Sequence, residues 1–179
     1  MEFAPVGHAA AVAFYISRVK DYVISRATPD DAATLTELLK ACVPEVYRPL
    51  IERPLADALS APSEEEVLLL SRDRIAGAVT GFVLCGVIPG TLGAGRIRAV
   101  AVAPLARRRG VGRDLLTAAV SALEKLGARF VLVELPDDPA MRFLAALLDT
   151  GGFAEESRAA DLVRDGVAMR YIRRNLPPR

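Results

Sequence analysis

The sequence is poor in the side chains on which histidine- and metal-dependent chemistry relies. Its 179 residues include one histidine, His8, and two cysteines, Cys42 and Cys85. A Ser-His-Asp triad or a zinc site would have to be built around His8, which lies in a poorly patterned stretch, and the cysteines lack metal-ligand spacing. We therefore expect no metal site, and we expect two reduced, buried thiols in a cytoplasmic protein.

The sequence also lacks an excess of charge and an evident membrane segment. Lys and Arg total 23 against 22 Asp and Glu, a formal net charge of +1, so bulk attraction to nucleic acid is not expected. The apolar start has no early basic segment and is interrupted by Pro5, Gly7 and His8. Neither a signal peptide nor a membrane span is therefore predicted, and we expect no membrane partner.

The patterning predicts a single α/β domain. We assign residues 1–20 to an N-terminal extension and 21–179 to the domain, whose 52% hydrophobic content is enough for one core. Period-2 and helical patterns alternate in the order βααβββαβαββ. The strand-helix-strand unit over 96–135 predicts a parallel pair, and the flanking hairpins predict antiparallel neighbours. The expected fold is one mixed sheet with helices on both faces.

The predicted elements have the following bounds. The strands are 21–27, 66–71, 79–87, 96–102, 129–135, 153–158 and 167–173, with a polar turn at 72–74. The helices are about 29–42, 48–60, 112–126 and 139–149. The fifth strand is nearly continuous in apolar residues, which predicts burial on both faces.

The strongest local signal is a basic, glycine-containing turn between a strand and an amphipathic helix. It consists of Arg107, Arg108, Arg109, Gly110, Val111, Gly112 and Arg113. A helix N-terminus offers free N–H groups and partial positive charge, glycines let an anion approach, and guanidinium groups bind phosphate. The turn therefore favours a phosphate site, although a loop with solvated arginines remains open on spacing alone.

Two nucleotide-binding motifs are excluded by their spacing. A G-x-G-x-x-G motif starting at Gly110 would need a glycine where Leu115 stands. Gly90 and Gly95 have Walker spacing, but Arg96-Ile97 follows in place of Lys-Ser/Thr and leads into a strand. Neither a dinucleotide nor an ATP-type phosphate loop is predicted.

The strand and turn together resemble a known acyl-CoA-binding motif. Val100-Ala101-Val102-Ala103-Pro104, followed by Arg107-x-x-Gly110-x-Gly112, is similar to the V-x-P and Q/R-x-x-G-x-G/A pattern of the GNAT acyltransferase superfamily. The resemblance covers about 22–175 in element order and is specific over 98–153. It implies that the main chain of Val100, Ala101 and Val102 pairs with the pantetheine of acetyl-CoA. It also implies that the N–H groups of Arg108 to Arg113 hold the pyrophosphate.

Glu134 is the candidate general base. An amine with a pKa near ~10 must lose a proton before it can attack a thioester, and Glu134 is the one acid in the run FVLVEL. Burial would raise the pKa of Glu134 toward a useful range. Leu132 to Leu135 also resembles the strand that carries the catalytic glutamate in ribosomal-protein N-terminal alanine acetyltransferases. A glutamate that is merely solvated or paired with an arginine is the alternative.

The superfamily tyrosine, which protonates the departing thiolate, has no counterpart at its usual place. In the pattern N-x-x-A-x-x-x-Y its position falls on Ala145 or Leu148, depending on the direction of counting. Water, Tyr171 or Tyr47 could supply the proton, so the general acid is unassigned. The departure also leaves open a non-catalytic acyl-CoA-binding module on the same fold.

The acceptor is not encoded in a recognisable motif. The resemblance implies an N-acetyltransferase acting on a primary amine of a small molecule, a protein N-terminus or a lysine, and a homodimer is a further expectation. Asp137 and Asp138 could bind a cationic substrate or cap the following helix, and capping is the simpler interpretation. No aromatic residues interleave the arginines over 107–113, which argues against a single-stranded nucleic-acid site.

The failed nucleotide motifs and the intact acyl-CoA motif predict a ligand preference. In a thermal-shift series at equal concentrations, acetyl-CoA should raise the melting temperature more than NAD or ATP, because a ligand of the native state stabilises it. A larger shift with NAD or ATP would contradict the assignment of the turn.

Overall fold

The computed structural model describes residues 20–61 and 63–177. The seven strands in these ranges are β1 Tyr22–Arg26, β2 Glu66–Asp73, β3 Val79–Val87, β4 Ala94–Val102, β5 Phe130–Pro136, β6 Ala154–Arg164 and β7 Val167–Asn175. The four α-helices there are α1 Ala32–Cys42, α2 Pro49–Ser60, α3 Val111–Lys125 and α4 Arg142–Thr150. The predicted order βααβββαβαββ is confirmed. The proposed N-terminal extension lies outside the described residues except for Lys20.

Strands β2 and β6 extend beyond the ends that their sequence patterns indicate. The turn predicted at 72–74 is wrong at its start, because β2 continues through Arg72 and Asp73, which pair with Val23 and Tyr22 of β1. Strand β6 runs on to Arg164, since its pairing with β7 resumes there after an irregular stretch. Both extensions are set by a partner strand, which a local pattern does not register.

The strands form one mixed sheet in the order β1-β2-β3-β4-β5-β7-β6. Only β4 and β5 are parallel, as the strand-helix-strand unit predicts, and the other neighbours are antiparallel. The parallel ladder is short, because it joins Ala94–Ile97 to Phe130–Val133 and then stops. The mixed-sheet prediction is therefore confirmed.

Helices cover both faces of the sheet, as expected. Leu115 and Leu123 of α3 and Leu148 of α4 pack on one face against Val83 and Val133. On the other face, α1 and α2 cover β2, β3 and β4, with a core that includes Leu35, Leu55, Leu70, Phe82 and Ala101. No helix in the described ranges is long and apolar enough to cross a bilayer. The sheet thus has two separate apolar layers.

One face of β5 is exposed at Glu134, so the prediction of burial along both faces is wrong. Val131, Val133 and Leu135 are buried beneath α3 and α4, whereas Glu134 is exposed. The core under α1 and α2 takes its strand residues from β2, β3 and β4 and none from β5 or β7. The α1–α2 side of β5 is therefore open at Glu134, whereas Pro136 and its partner Met169 are buried farther along the same face.

Asp31 is a buried carboxylate at the start of the α1 segment. It accepts hydrogen bonds from Thr28 N at 2.9 Å and Thr28 Oγ1 at 3.1 Å, and it pairs with Arg72 of β2. Burial alone would raise the pKa of Asp31, but the bonds from Thr28 and Arg72 outweigh it and hold the pKa below its usual value. The ionised carboxylate therefore ties the helix to the sheet.

Replacement of Asp31 should destabilise the fold in a pH-dependent manner. Asp31→Ala should lower the free energy of unfolding at pH 7 by about 1–3 kcal/mol, because Arg72 loses its partner. A depressed folded-state pKa gives stability that is present above the unfolded pKa of ~3.9 and is lost as pH falls through the folded-state pKa. Urea titrations from neutral to acidic pH should therefore show the difference shrinking.

Asp57→Ala is the matched control. Asp57 is an exposed acid on α2 whose contact with Arg53 is 3.8 Å, so its loss should change stability by less than about 0.5 kcal/mol. Equal losses in the two variants, or a loss at Asp31 that does not depend on pH, would contradict this assignment.

Candidate functional site

The site is centred on a gap that opens between β4 and β5. Their ladder ends at the pair Ile97–Val133, although β4 continues to Val102 and β5 to Pro136. On the other side of β4, the β3 register shifts so that Leu84 pairs with Ala99 but Cys85 with Ile97. The extra residue is Arg98, and such a bulge bends a strand and increases its twist. The two parallel strands therefore part beyond the bulge.

The main chain of β4 turns polar groups toward this gap. Ala103 N donates to Thr80 O of β3 at 2.9 Å. Because bonding residues alternate along an antiparallel ladder, the N–H and C=O groups of Val100 and Val102 then face away from β3. Ala101 faces β3, so the predicted trio does not act alike. Val100 and Val102 are the two that can receive an extended ligand.

Val102 already carries two polar contacts on its carbonyl oxygen. Arg107 Nε donates to Val102 O at 3.1 Å, and Cys42 Sγ lies 3.4 Å from the same atom. Burial raises the pKa of Cys42, with Arg107 opposing the effect, and the cysteine is only half-buried. The contacts with Arg107 and Cys42 show that the Val102 carbonyl oxygen is accessible to donors from the side that faces away from β3.

The N-terminus of α3 lies directly after this strand. Gly110 is its N-cap at φ +88°, a left-handed conformation that favours glycine, and no side chain caps the helix. The first helical bond runs from Asp114 N to Gly110 O at 3.0 Å. The N–H groups of Val111, Gly112 and Arg113 therefore lack intrahelical acceptors and can bind an anion.

The arginines of the turn do not all converge on that N-terminus. Arg107 is bonded to Val102, and Arg109 pairs with Asp21 at 3.0 Å. Arg108 and Arg113 form no ion pair within the described ranges, and both are exposed. The predicted basic cluster is therefore divided, with two guanidinium groups engaged and two available to phosphate.

The acid in the first turn of α3 is bound by Tyr22 of β1 and by Lys20, which precedes that strand. Asp114 accepts a hydrogen bond from Tyr22 Oη at 2.5 Å and pairs with Lys20. Burial would raise the pKa of Asp114, but the bonds from Lys20 and Tyr22 outweigh it and lower the pKa. Burial, reinforced by Asp114, raises the pKa of Tyr22 to about 12. A bound anion would thus meet a compensated carboxylate.

Glu134 lies across the gap, one residue beyond the last parallel pair. Its side chain is 49% exposed, so the expectation that it is buried is wrong. Its Oε1 atom is 3.9 Å from Arg96 Nη1, close enough for attraction but too far for a hydrogen bond. Tyr171 of β7 pairs directly opposite. The carboxylate is accessible from the open α1–α2 side of the sheet.

The tyrosines differ in their availability. Tyr47 is 1% exposed and donates to Asp138 Oδ2 at 2.6 Å, so it is already engaged. On α4, Leu148 packs in the core and Ala145 has no polar group. Tyr171 is partly buried beside Glu134. Of the two tyrosines considered from the sequence, only Tyr171 lies next to the candidate base.

Asp137 and Asp138 are committed to other residues. Asp138 Oδ1 accepts from Ala140 N at 2.8 Å, which confirms the capping interpretation for this residue. Arg164 pairs with Asp138 at 3.0 Å, and Arg158 pairs with Asp137 at 2.6 Å. Tyr47, together with the Ala140 N–H, lowers the pKa of Asp138. Neither carboxylate is free to attract a cationic substrate.

The sequence did not reveal four side chains that shape the site. Arg96 lies beside the candidate base, Cys42 reaches the Val102 carbonyl, and Lys20 and Tyr22 fix Asp114. Each contacts a residue at least 38 positions away, as Arg96 does Glu134. No local motif marks such pairs.

The chain belongs to the acetyltransferase (GNAT) family. The profile of that family matches residues 32–148, which include α1, the gap, the turn and most of α4. No curated protein sequence gives a significant match. The matched region contains every residue assigned to the site from the sequence.

Solved structures with the same fold include three acetyltransferases that align along nearly their whole length. A putative GNAT acetyltransferase from Desulfovibrio desulfuricans has a TM-score of 0.77 at 18% identity, over 86% of this chain and 98% of its own. The Escherichia coli ribosomal-protein-S18-alanine N-acetyltransferase has 0.70 at 20%, over 88% and 96%. A putative Salmonella typhimurium acetyltransferase, solved with its cofactor acetyl-CoA, has 0.67 at 17%, over 88% and 95%.

Bulky residues in the turn should abolish coenzyme A binding. Valine at Gly110 would have to adopt the left-handed conformation, and a Cβ at Gly112 would lie 3.3 Å from Leu147 Cδ2. The double variant Gly110→Val/Gly112→Val should therefore bind coenzyme A at least about 100-fold more weakly in calorimetry, since the added side chains would shift the turn and obstruct the approach of the pyrophosphate to its N–H groups.

Gly77→Val provides the control. Gly77 also has a positive φ, +67°, but it lies in the β2–β3 turn with open space around its Cβ position. This variant should be less stable, because valine is strained at a positive φ, but its affinity for coenzyme A should not change. A folded double variant with wild-type affinity would refute the placement of the pyrophosphate.

Proposed function

We propose that the protein transfers an acetyl group from acetyl-CoA to a primary amine by direct attack in a ternary complex. The observation that carries the proposal is the arrangement around the gap. Main-chain groups of Val100 and Val102 that face away from β3 line one side and lead to the uncapped N-terminus of α3, while Glu134 lies on the other side. The gap thus has the main chain of β4 on one side, which we call the binding edge, and the carboxylate of Glu134 on the other.

The binding edge fits the chemistry of acetyl-CoA. Pantetheine carries amides that can add to Val100 and Val102 as a further strand would. The pyrophosphate of coenzyme A would follow at Val111, Gly112 and Arg113, where N–H groups and the dipole of α3 favour negative charge. The acetyl-CoA in the Salmonella typhimurium structure of the same fold supports this choice of cosubstrate.

The proposed reaction needs one proton acceptor and one proton donor. The amine nitrogen forms a bond to the acetyl carbonyl carbon, and the carbon–sulfur bond breaks to release coenzyme A. Glu134 accepts the proton that the amine loses, directly or through water, and its exposure gives the acceptor access. Water and Tyr171 are the two candidates that could return a proton to the departing thiolate. Full protonation is not required before the thiolate leaves, because a thiol has a pKa near ~8.5.

Residues 21–179 form the proposed acyltransferase domain. The acceptor classes expected from the sequence were a small molecule and a protein N-terminus or lysine. The homodimer and the cytoplasmic location stay predictions from the sequence.

A non-catalytic acyl-CoA-binding module is the second candidate. The observation in its favour is that α4 has Ala145 or Leu148 where the superfamily has its tyrosine, and Leu148 is buried. The two candidates differ in one measurable respect. A panel of amine acceptors with acetyl-CoA should release free thiol if the protein is an enzyme, whereas a binding module would retain acetyl-CoA without acceptor-dependent release.

Loss of the candidate base should reduce turnover without weakening acetyl-CoA binding. Glu134→Gln preserves shape but removes proton acceptance, and one missing general base is typically worth ~10²–10⁴ in rate. The deficit should shrink as pH rises, because more of the amine is then neutral without help. Thiol-release rates across roughly pH 6 to 9 would show this.

Glu156→Gln is the matched control, since Glu156 is 47% exposed and also pairs with an arginine, Arg173. It should turn over at the wild-type rate. A folded Glu134→Gln protein with wild-type turnover at every pH would place the base elsewhere or leave activation to desolvation of the amine.

A further inference from the structure

Arg96 is a guanidinium group beside the candidate base that has no close partner. It lies on β4 in the last stretch that pairs with β5, opposite Leu132. Its side chain is 25% exposed, and its nearest acid is Glu134 at 3.9 Å, beyond hydrogen-bonding distance. Its Nε atom is the one buried side-chain nitrogen or oxygen without a hydrogen bond in the described ranges. A buried donor of this kind without an acceptor destabilises the free protein.

The other arginines near the open face are already paired. Arg98, two residues along β4, pairs with Glu66 at 2.9 Å. Arg158 and Arg164 pair with Asp137 and Asp138 at 2.6 and 3.0 Å. Within the described residues of this region, Arg96 and Glu134 are thus oppositely charged neighbours that do not form a hydrogen bond.

The surroundings of Arg96 favour a further anion. Burial lowers the pKa of Arg96, and the neighbouring charge of Arg98 lowers it further, against the opposing effect of Glu134 and Glu66. The charged guanidinium is therefore incompletely compensated in the free protein. Its exposed end is the part that a ligand can reach from the open α1–α2 side of β5.

We propose that Arg96 binds the carboxylate of the acceptor and that the acceptor is a free α-amino acid. The inference rests on the proposed function and names the substrate class of the same site. In an α-amino acid, one carbon separates the amine from the carboxylate, so the two groups can reach Glu134 and Arg96 together. A planar guanidinium suits a carboxylate, which it can bind through two parallel hydrogen bonds.

The charges at the site oppose a polycationic acceptor. Asp137, Asp138 and Glu155 are each paired with at least one arginine, so they offer no free negative surface. What the site presents is one accessible carboxylate and one incompletely paired guanidinium. The carboxylate of Glu134 complements the amine of an amino acid, and the guanidinium of Arg96 complements its carboxylate. Among the described residues of the site, no further unpaired carboxylate is present to bind additional amines.

Equilibrium binding of amino acids and their amides tests this. The protein is saturated with coenzyme A and titrated by calorimetry with each standard L-amino acid and with the corresponding α-amide, which keeps the amine but lacks the carboxylate. At least one amino acid should bind about 10- to 100-fold more tightly than its amide, the range expected for a charge-assisted bond. In Arg96→Met this ratio should fall to about one.

The control removes a cation elsewhere on the surface. Arg53→Met eliminates an exposed guanidinium of α2 whose contact with Asp57 is 3.8 Å, and it should keep the wild-type ratio. Coenzyme A affinity reports the folding of each variant. The proposal is wrong if no amino acid binds the wild-type protein more tightly than its amide does. This test needs only the wild-type protein, so it remains decisive if Arg96→Met does not fold.

Acceptor-dependent thiol release separates this inference from the proposed function. Transfer to amides or peptides at least as fast as to amino acids would overturn the role of Arg96 and leave the acetyltransferase in place. Selective binding of an amino acid without any thiol release would support Arg96 as a carboxylate site and contradict the proposed function.

Discussion

The site depends on the fact that β4 remains paired with β3 after it has separated from β5. Arg98 is the extra residue that bends the strand, and the ladder to β5 ends one residue earlier, at Ile97. Beyond that point, Val100 and Val102 turn polar main-chain groups toward a neighbour that has moved away. Buried peptide groups without partners are rare in folded proteins, so an edge of this kind is a place for a ligand strand.

Unequal helix coverage converts this gap into a site with two approaches. Helices α3 and α4 cover one face from β1 to β7, including Val133 of β5, and bring the α3 N-terminus to the end of β4. Helices α1 and α2 extend over β2, β3 and β4 but not over β5. One substrate can therefore bind along β4 and the α3 turn, while Glu134 stays accessible from the opposite face.

Sequence patterns were sufficient for the order of elements and for the turn, because both are local. Gly110 and Gly112 are adjacent to the helix they open, and Pro104 marks the end of β4 beside them. The exposure of Glu134 could not be predicted, since the apolar run around it is the same whether one face of β5 is covered or two. Contacts such as Tyr47–Asp138 and Arg96–Glu134 depend on strand register, and a single bulge resets which residues share a face.

Arg96 and Glu134, which would bind the carboxylate and the amine of an amino acid, lie on backbone that is held to different degrees by strand pairing. Arg96 lies where β4 is paired on both sides, to Gly86 of β3 and Leu132 of β5, so its backbone is held firmly. Glu134 follows directly after the last parallel pair, at the margin of the gap. A carboxylate fixed at Arg96 would therefore direct the neighbouring amine toward the place where the thioester must lie. Orientation of this kind lowers the entropic part of a barrier, because both reactants are held before they react.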